Sequence, residues 1–326
     1  MTRSIWRFIL TGLLAIGVEL ANAEDARKLP SIGQVFGSNP IIARPWDEAF
    51  RQGLRDLGYV EGKNVIIVPR YALGDSARFP ALVSELIALN VDVLFVAHTA
   101  IPAAMQLTKT IPIVAPTMDD PVRAGFAASL AHPGGNLTGL SGLGPETDSK
   151  RLEMAMEVLP GLRRAALMFE ASDALTAASA NQFRTFAHGV GVTLDLVGVR
   201  NLDEIETALK AMKRNHPQAL IVYASPLALL HRGRIIAGSA SYNVPVISEG
   251  RDFADDGALL TYSADYHEMW KRSAVYVDKI LKGARPGDLP IEQPTKFALI
   301  VNLKTAKALG ITIPQSILLR AEEVIK

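Results

Sequence analysis

Short apolar runs alternate with helical patterns along this chain, and one stretch shows the alternation most clearly. Val91–Val96 is too short for a helix and rich enough in β-branched residues to form a strand buried on both faces. After the small-residue loop Ala97–Ala100, the pattern predicts a helix over residues 101–109, a second buried strand at Ile111–Val114 and a polar loop at Thr117–Pro121. These elements form a β-α-β unit. Its loops follow the carboxyl ends of parallel strands, where open α/β sheets bind their ligands.

The same plan recurs in the second half of the chain. A buried strand at Ala219–Tyr223 leads into the loop Ala224–Pro226, a helix over residues 227–241 and a strand at Val244–Ile247. A polar loop follows at Ser248–Asp252. The repetition predicts an α/β protein with two doubly wound parallel-sheet lobes, each of which contributes loops to a shared cleft.

The flanking segments continue the α/β rhythm. Ile32–Phe36 is predicted as a first buried strand, and the helix that follows its loop has Trp46 in its apolar stripe. A later helix over residues 266–282 has Trp270 in a similar position. Both helices are therefore expected to pack against a sheet.

Several elements set the predicted boundary between the lobes. Helices are predicted at Val122–Leu130 and Gln315–Ile325, and Gly257–Tyr262 is predicted as a strand that returns to the first lobe. Several such crossings would make a multi-stranded hinge about which the lobes close. The predicted lobes are residues 24–140 plus about 261–290, and about 141–260 plus about 291–326.

Composition and charge disfavour some classes of binding partner. The 326 residues are 49% apolar and 21% charged, which is typical of a globular protein of about two domains. The formal charge is +1, and removal of Arg3, Arg7 and Glu19 with the first 23 residues leaves 32 basic and 32 acidic residues. Nucleic acid and anionic membrane are not favoured as partners, because binding to them needs a concentrated basic face.

The start of the chain predicts export. Arg3 and Arg7 precede an apolar stretch and the small-residue site Ala21–Ala23, which is typical of a signal peptide cleaved before Glu24. The apolar stretch is shorter than the ~20 residues that span a bilayer, so an uncleaved membrane anchor is the less favoured alternative. The sequence has no cysteine, which excludes disulfides, thiolate metal sites and an N-terminal lipid anchor on cysteine. We expect a soluble protein of the periplasm.

Signatures of catalysis are absent from the sequence. It has no G-x-S-x-G elbow, no P-loop and no G-x-G-x-x-G after a strand. The six histidines show no metal-type spacing, and His98 alone abuts the predicted cleft, as a candidate ligand contact or base. We expect no catalytic residue, no metal and no cofactor.

The cleft loops carry residues suited to a small zwitterion. The hydroxyl of Thr99, with the amides of Ala100 and the helix start, could hold a carboxylate. An amino group needs buried carboxylates. Any two of Asp120, Glu249 and Asp265, which lie in loops at predicted strand ends, could supply them. Tyr262 and Tyr266 could close over an apolar side chain. The predicted ligand-binding residues are Ser38, Thr99, Ala100, Asp120, Ser225, Glu249, Tyr262 and Asp265.

Each of these residues also has a simpler structural explanation. Thr99 could be only a helix cap, and Asp120 before Pro121 could be a turn or cap pair. Glu249 and Asp265 could be solvated loop acids, because charged loop residues usually are. Tyr262 could pack on the sheet, and the two serines depend mainly on their loop positions.

Motifs spread over the chain carry a family resemblance. They are Ala49–Arg55, Leu57–Tyr59, Glu61–Asn64, Ile111–Ile113, Asp120–Val122, Pro133–Gly139, Lys150–Glu153, Tyr276–Gly283, Gln293–Phe297 and Asn302–Gly310. Together they resemble the ABC transporter substrate-binding protein family related to tryptophan- and tyrosine-binding transport proteins. The resemblance implies a type 1 periplasmic-binding-protein fold and delivery of a small solute to an ABC permease.

The chain departs from the family pattern at two predicted cleft walls. Ala97-His98 stands where members often have Gly-Gly, and Phe169–Asp173 stands where many have Asn-Pro. Both departures bear on which solute is bound.

From the resemblance and the cleft residues we expect a monomeric binding protein for a small solute, with an amino acid or related small carboxylate favoured. A solute sensor for a membrane receptor and an enzyme on the same fold are the alternatives.

Overall fold

The computed structural model describes residues 29–142 and 144–326. The predicted signal peptide, residues 1–23, and its cleavage site lie outside the described residues. Within them, the strands form two sheets, one of five strands and one of seven. None of the helices described combines the length and apolar character needed to cross a membrane.

The strands and helices follow each other along the chain in the predicted α/β alternation. The strands are β1 (Ser31–Phe36), β2 (Ile66–Tyr71), β3 (Val93–Val96), β4 (Ile113–Ala115), β5 (Leu137–Gly139), β6 (Arg164–Glu170), β7 (Thr193–Val199), β8 (Ala219–Val222), β9 (Val246–Ser248), β10 (Leu260–Ala264), β11 (Phe297–Asn302) and β12 (Glu323–Ile325). The helices are α1 (Pro40–Asp56), α2 (Phe79–Ala88), α3 (Ile101–Leu107), α4 (Gly144–Val158), α5 (Ala174–Gly189), α6 (Leu202–Asn215), α7 (Pro226–Leu230), α8 (Arg232–Ala240), α9 (Gly250–Asp255), α10 (Tyr266–Leu281), α11 (Leu303–Ala308) and α12 (Gln315–Arg320).

The first lobe is built on a parallel sheet with the strand order β2-β1-β3-β4-β5. Helices α1 and α10 pack on one face of it, where Phe50 and Trp270 join the apolar core with Phe95 of β3. Helices α2 and α3 pack on the other face, where Leu86 contributes to a second core with Leu94 of β3. Covered on both faces, β1, β3 and β4 are buried along their whole length.

The second lobe is built on the sheet with the order β12-β11-β10-β9-β8-β6-β7. Its neighbouring strands are parallel, except that β10 and β11 run antiparallel. Alternate residues of β6 face opposite sides: Leu167 joins the core under α4, α5, α11 and α12, and Met168 joins the core under α6 to α9. The prediction of two parallel-sheet α/β lobes is confirmed.

The chain crosses between the two sheets three times in its described part, after β5, after β10 and before β11. Near these crossings, Leu140 and Glu292 form an isolated parallel bridge. The predicted multi-stranded hinge therefore corresponds to adjacent connections rather than to a single linker.

The structure differs from three of the predictions about individual elements. Gly257–Tyr262 was predicted to return to the first lobe, but β10 pairs with β9 and β11 in the second sheet. Val122–Leu130 forms turns instead of a helix, with Gly125 at a φ of 73°. The final helix ends at Arg320, because Glu323–Ile325 pairs with β11. An apolar run specifies burial, but it does not specify the neighbour against which the segment is buried.

The close packing of α1 on α10 generates a stability prediction. A Cβ atom added at Gly53 would clash with the backbone oxygen of Lys271 and lie 2.8 Å from the Cβ of Ala274. We expect Gly53→Ala to lower the free energy of unfolding by about 1–3 kcal/mol in urea titrations, because the two helices must separate. Gly189→Ala is the matched control, since a Cβ there meets no atom within 4 Å. Equal stability of both variants would contradict this account of the interface.

Candidate functional site

A cavity of about 200 Å³ lies between the lobes. Loops that follow β1, β3 and β4 line it from the first lobe, and loops that follow β8 and β9 line it from the second. Helix α4 adds side chains from just beyond the first crossing. These positions are the carboxyl ends of parallel strands, where the sequence placed the cleft.

The lobes contact each other beside this cavity. Ser76 of the first lobe lies with its Oγ 3.1 Å from the Oγ of Ser172 in the second. Gly37 lies so close to Pro226 that an added Cβ atom would be 2.9 Å from the proline Cβ. The structure therefore shows the lobes closed around the site.

A buried cation on α4 organises the polar side of the cavity. The side chain of Arg151 is only 2% exposed. Its Nη2 lies 2.8 Å from Oδ1 of Asp148, and its Nη1 lies 3.2 Å from Oε1 of Glu249. Tyr223 donates a hydrogen bond of 2.6 Å to Oδ2 of Asp148, and Tyr266 donates one of 3.0 Å to Oε2 of Glu249. Because Tyr266 belongs to α10, this network joins the two lobes.

Burial is the largest single influence on each of the shifted pKa values in this network. Burial, assisted by the carboxylates of Glu249 and Asp119, raises the pKa of Asp148 to about 7 against the lowering effects of Arg151 and Tyr223. Burial lowers the pKa of Arg151, but Glu249 and Asp148 outweigh that effect and keep it above the usual value. Burial also raises the pKa values of Tyr223 and Tyr266 well above 10, so both hydroxyls stay protonated.

The first lobe presents polar groups that have few partners. Asp119, which follows β4, is 43% exposed, and its Oδ2 lies 3.6 Å from Nε2 of His98. Both ring nitrogens of His98 and the Oγ1 of Thr99 are buried without a hydrogen-bond partner in the described part of the chain. Buried polar atoms normally have partners, so these atoms are suited to meet a polar group of a ligand.

Aromatic rings form the apolar side of the cavity. Phe36 and Trp270 stack with their centroids 5.7 Å apart, and Trp46 meets Tyr266 edge to face at 6.2 Å. All four rings belong to the first lobe. A flat or apolar group placed here would be removed from water against a preformed surface.

Four of the eight predicted ligand-binding residues line the cavity: Ser38, Thr99, Ser225 and Glu249. Thr99 and Glu249 thus face one space from opposite lobes. Ser225 also caps α7, where its Oγ accepts a 3.2 Å hydrogen bond from the backbone of Ala228.

The other four predicted residues lie outside the lining of the cavity. Ala100 is fully buried in the first-lobe core. Asp120 accepts a 3.0 Å hydrogen bond from the backbone of Arg123, and Asp119 lines the cavity in its place. Tyr262 stacks on Phe297 at 5.7 Å, and Asp265 caps α10. For Asp120 and Tyr262 the simpler structural explanation describes the position better, whereas Asp265 is a helix cap rather than the solvated loop acid of that explanation.

Several cavity residues were missed by the sequence analysis. Trp46 and Trp270 were assigned only to apolar helix stripes, although both lie at the cleft end of their helices. Asp148 and Arg151 were not predicted as site residues, although Arg151 lies in the motif Lys150–Glu153. The sequence did contain an indication of their role, because Asp148 and Arg151 are an acid and a base three residues apart on one helix. They share a helix face with Leu152 and Ala155, which are buried in the core.

Two lobes closed over a cavity with unpartnered polar groups define a binding protein for a small solute. The described residues contain no group of three or more His, Asp or Glu side chains arranged to hold a metal ion. The chain belongs to the ABC transporter substrate binding protein family, whose sequence model matches residues 46–325.

Similar proteins agree with this membership. A tyrosine-binding protein of Clostridioides difficile is 25% identical over 294 residues, which are 87% of this chain and 82% of that protein. A conserved domain protein from Vibrio cholerae has a TM-score of 0.85 at 26% identity, over 91% of this chain and 100% of that chain. An ABC domain in complex with L-Trp from Streptococcus pneumonia has a TM-score of 0.84 at 23% identity, with the same coverage. The fold is that of type 1 periplasmic binding proteins, as the resemblance implied.

The protonation of Asp148 gives a pH-dependent stability. In the unfolded chain this carboxyl titrates near its usual value of about 3.9. Between that pH and about 7 the folded protein retains a proton that the unfolded chain has lost, so this contribution to stability falls as pH rises. From pH 5 to pH 8 we expect the wild type to lose about 2 kcal/mol of unfolding free energy relative to Asp148→Asn in urea titrations. Parallel pH profiles would contradict the assignment.

Proposed function

We propose that this chain is the periplasmic, monomeric solute-binding component of an ABC importer, and that its solute is an amino acid or a related small carboxylate. The observation that carries the proposal is one cavity between the two lobes, where carboxylates, polar groups without hydrogen-bond partners and first-lobe aromatic rings converge. The names of relatives support it, since one is called a tyrosine-binding protein and another was solved in complex with L-Trp.

Different lining side chains suit the carboxylate, the ammonium group and the side chain of an amino acid. The hydroxyl of Thr99 and the ring of His98 could donate to a carboxylate, since neither has a hydrogen-bond partner among the described residues. Asp119 and Glu249 could accept from an ammonium group. The rings of Trp46 and its neighbours could pack on an apolar or aromatic side chain.

Closure follows from the division of the site between lobes. Thr99, Asp119 and the aromatic rings come from the first lobe, and Asp148, Arg151 and Glu249 come from the second. A solute that contacts both sets binds the closed form more tightly than the open form and shifts the population by that difference. The closed form is then the one that a permease would recognise.

A screen of solutes tests the proposed function. We expect at least one amino acid to raise the melting temperature of the purified protein, because a ligand that binds only the folded state stabilises it. The panel should contain amino acids, small carboxylates, nucleosides and sugars, and candidate ligands should be recovered unchanged after incubation. A shift with sugars or nucleosides alone, or with none of these solutes, would contradict the proposal.

The aromatic wall can be tested with one pair of variants on α1. We expect Trp46→Ala to weaken binding of an aromatic amino acid by at least about tenfold in calorimetric titrations, because a stacking surface is lost. Ile41→Ala is the control on the same helix, since Ile41 is 83% exposed and should leave affinity unchanged. Equal affinities of the two variants would show that the ring of Trp46 does not contact the solute.

A further inference from the structure

The charges that line the cavity are unbalanced. Among the lining residues in the described part of the chain, four are acidic and Arg151 is the sole Arg or Lys. The four acidic residues are Asp119, Asp148, Glu249 and Asp252. Arg232, the basic neighbour of Asp252, also forms an ion pair of 2.9 Å with Asp256. The site therefore has more negative than positive charge at neutral pH.

Arg151, the single Arg or Lys of the described lining, already has two carboxylate partners. Arg151 lies against the carboxylates of Asp148 and Glu249, at 2.8 and 3.2 Å. A solute carboxylate bound by Arg151 would become a third anion on one guanidinium. The Nε atom of Arg151 lacks a hydrogen-bond partner among the residues described, which makes it the competing anchor for an anion. The two adjoining carboxylates weigh against that use, because like charges repel strongly in a buried site.

The acidic side chains, in contrast, outnumber the cations available to them. Asp119 has His98 at 3.6 Å and no lysine or arginine ion pair among the described contacts. Burial, together with Glu249 and Asp119, raises the pKa of Asp148, so that near neutral pH a proton partly supplies the missing positive charge. An ammonium group bound by the other carboxylates of the cavity would supply it instead.

A solute carboxylate would find only uncharged or weakly basic donors on the first lobe. Thr99 Oγ1 and the two nitrogens of His98 are the buried first-lobe lining atoms found without partners in residues 29–142. A hydrogen bond from a hydroxyl to the solute carboxylate has one charged partner, whereas a contact between the ammonium group and an acidic side chain has two and contributes more. The ammonium group of an amino acid therefore contributes more to binding at this site than its carboxylate does.

We infer that the site selects its solute through the ammonium group, held by Asp119 with Glu249, and that the solute carboxylate is dispensable. This inference rests on the proposed function and adds the chemical class of the ligand: primary amines, with or without a carboxylate. Anions that lack an amine are rejected by the excess of carboxylates.

Matched analogues of aromatic amino acids test the inference. For L-tryptophan, L-tyrosine and L-phenylalanine, the decarboxylated partners are tryptamine, tyramine and phenethylamine. The deaminated partners are indole-3-propionate, 3-(4-hydroxyphenyl)propionate and 3-phenylpropionate. By calorimetry we expect the amine to bind within about tenfold of its parent and the acid at least about a hundredfold more weakly. An acid that binds as well as its amine partner would overturn the inference.

Three isosteric variants identify the contacts. We expect Asp119→Asn to weaken the amino acid and the amine by the same factor, at least about thirtyfold. Thr99→Val should weaken the amino acid by about tenfold and leave the amine unchanged. Asp120→Asn is the control, because that neighbouring carboxylate caps a turn outside the cavity lining. A loss confined to the amino acid in Asp119→Asn would overturn the assignment.

The outcomes separate the two proposals. If an amino acid binds but its acid analogue binds as well as its amine, the importer role stands and the ammonium selection falls. If amines bind and amino acids do not, the selection stands and the amino-acid solute falls. If none of the nine compounds binds and only solutes without an amine shift the melting temperature, both fall.

Discussion

The structure of the cleft depends on the pairing of Arg151. A guanidinium that is 2% exposed is stable only beside carboxylates with good geometry, and the carboxylates need partners in turn. Asp148 lies one helical turn away on α4, and Glu249 comes from the loop after β9. Tyr266 of α10 then carries the network into the first lobe. One buried charge thus connects a helix, a strand end and the opposite lobe, and the position of each follows from the others.

The sequence specified the fold well because both lobes repeat one β-α-β plan with β-branched strands. It also located the cleft, because loops at the carboxyl ends of parallel strands must meet. Thr99 and Glu249 were found by that argument, and they face the same cavity from opposite lobes. The argument gives a loop but not the direction of a side chain, so it selected Asp120 where Asp119 lines the cavity.

The remaining differences have a common physical cause, which is that neighbours distant in sequence decide them. Tyr262 and Tyr266 are the same residue type only four positions apart, so the sequence does not distinguish them. Because β10 remains in the second sheet, Tyr262 packs on Phe297. Asp148 and Arg151 lie on a helix, and a helical acid and base usually form a solvated pair. Here both side chains are buried, and Arg151 meets Glu249, which is 98 residues away in sequence.

The packing of α10 on α1 has a consequence for the order of folding during synthesis. Trp270, Ala274 and Val277 complete the core around β1 and β3, yet they are translated after the whole central body of the second lobe. The first lobe therefore cannot complete this core until α10 has been synthesised, and until then part of its apolar surface stays unburied. Such long sequence separation slows folding, and it prolongs the interval in which the apolar face of the first sheet is open to contacts with other chains.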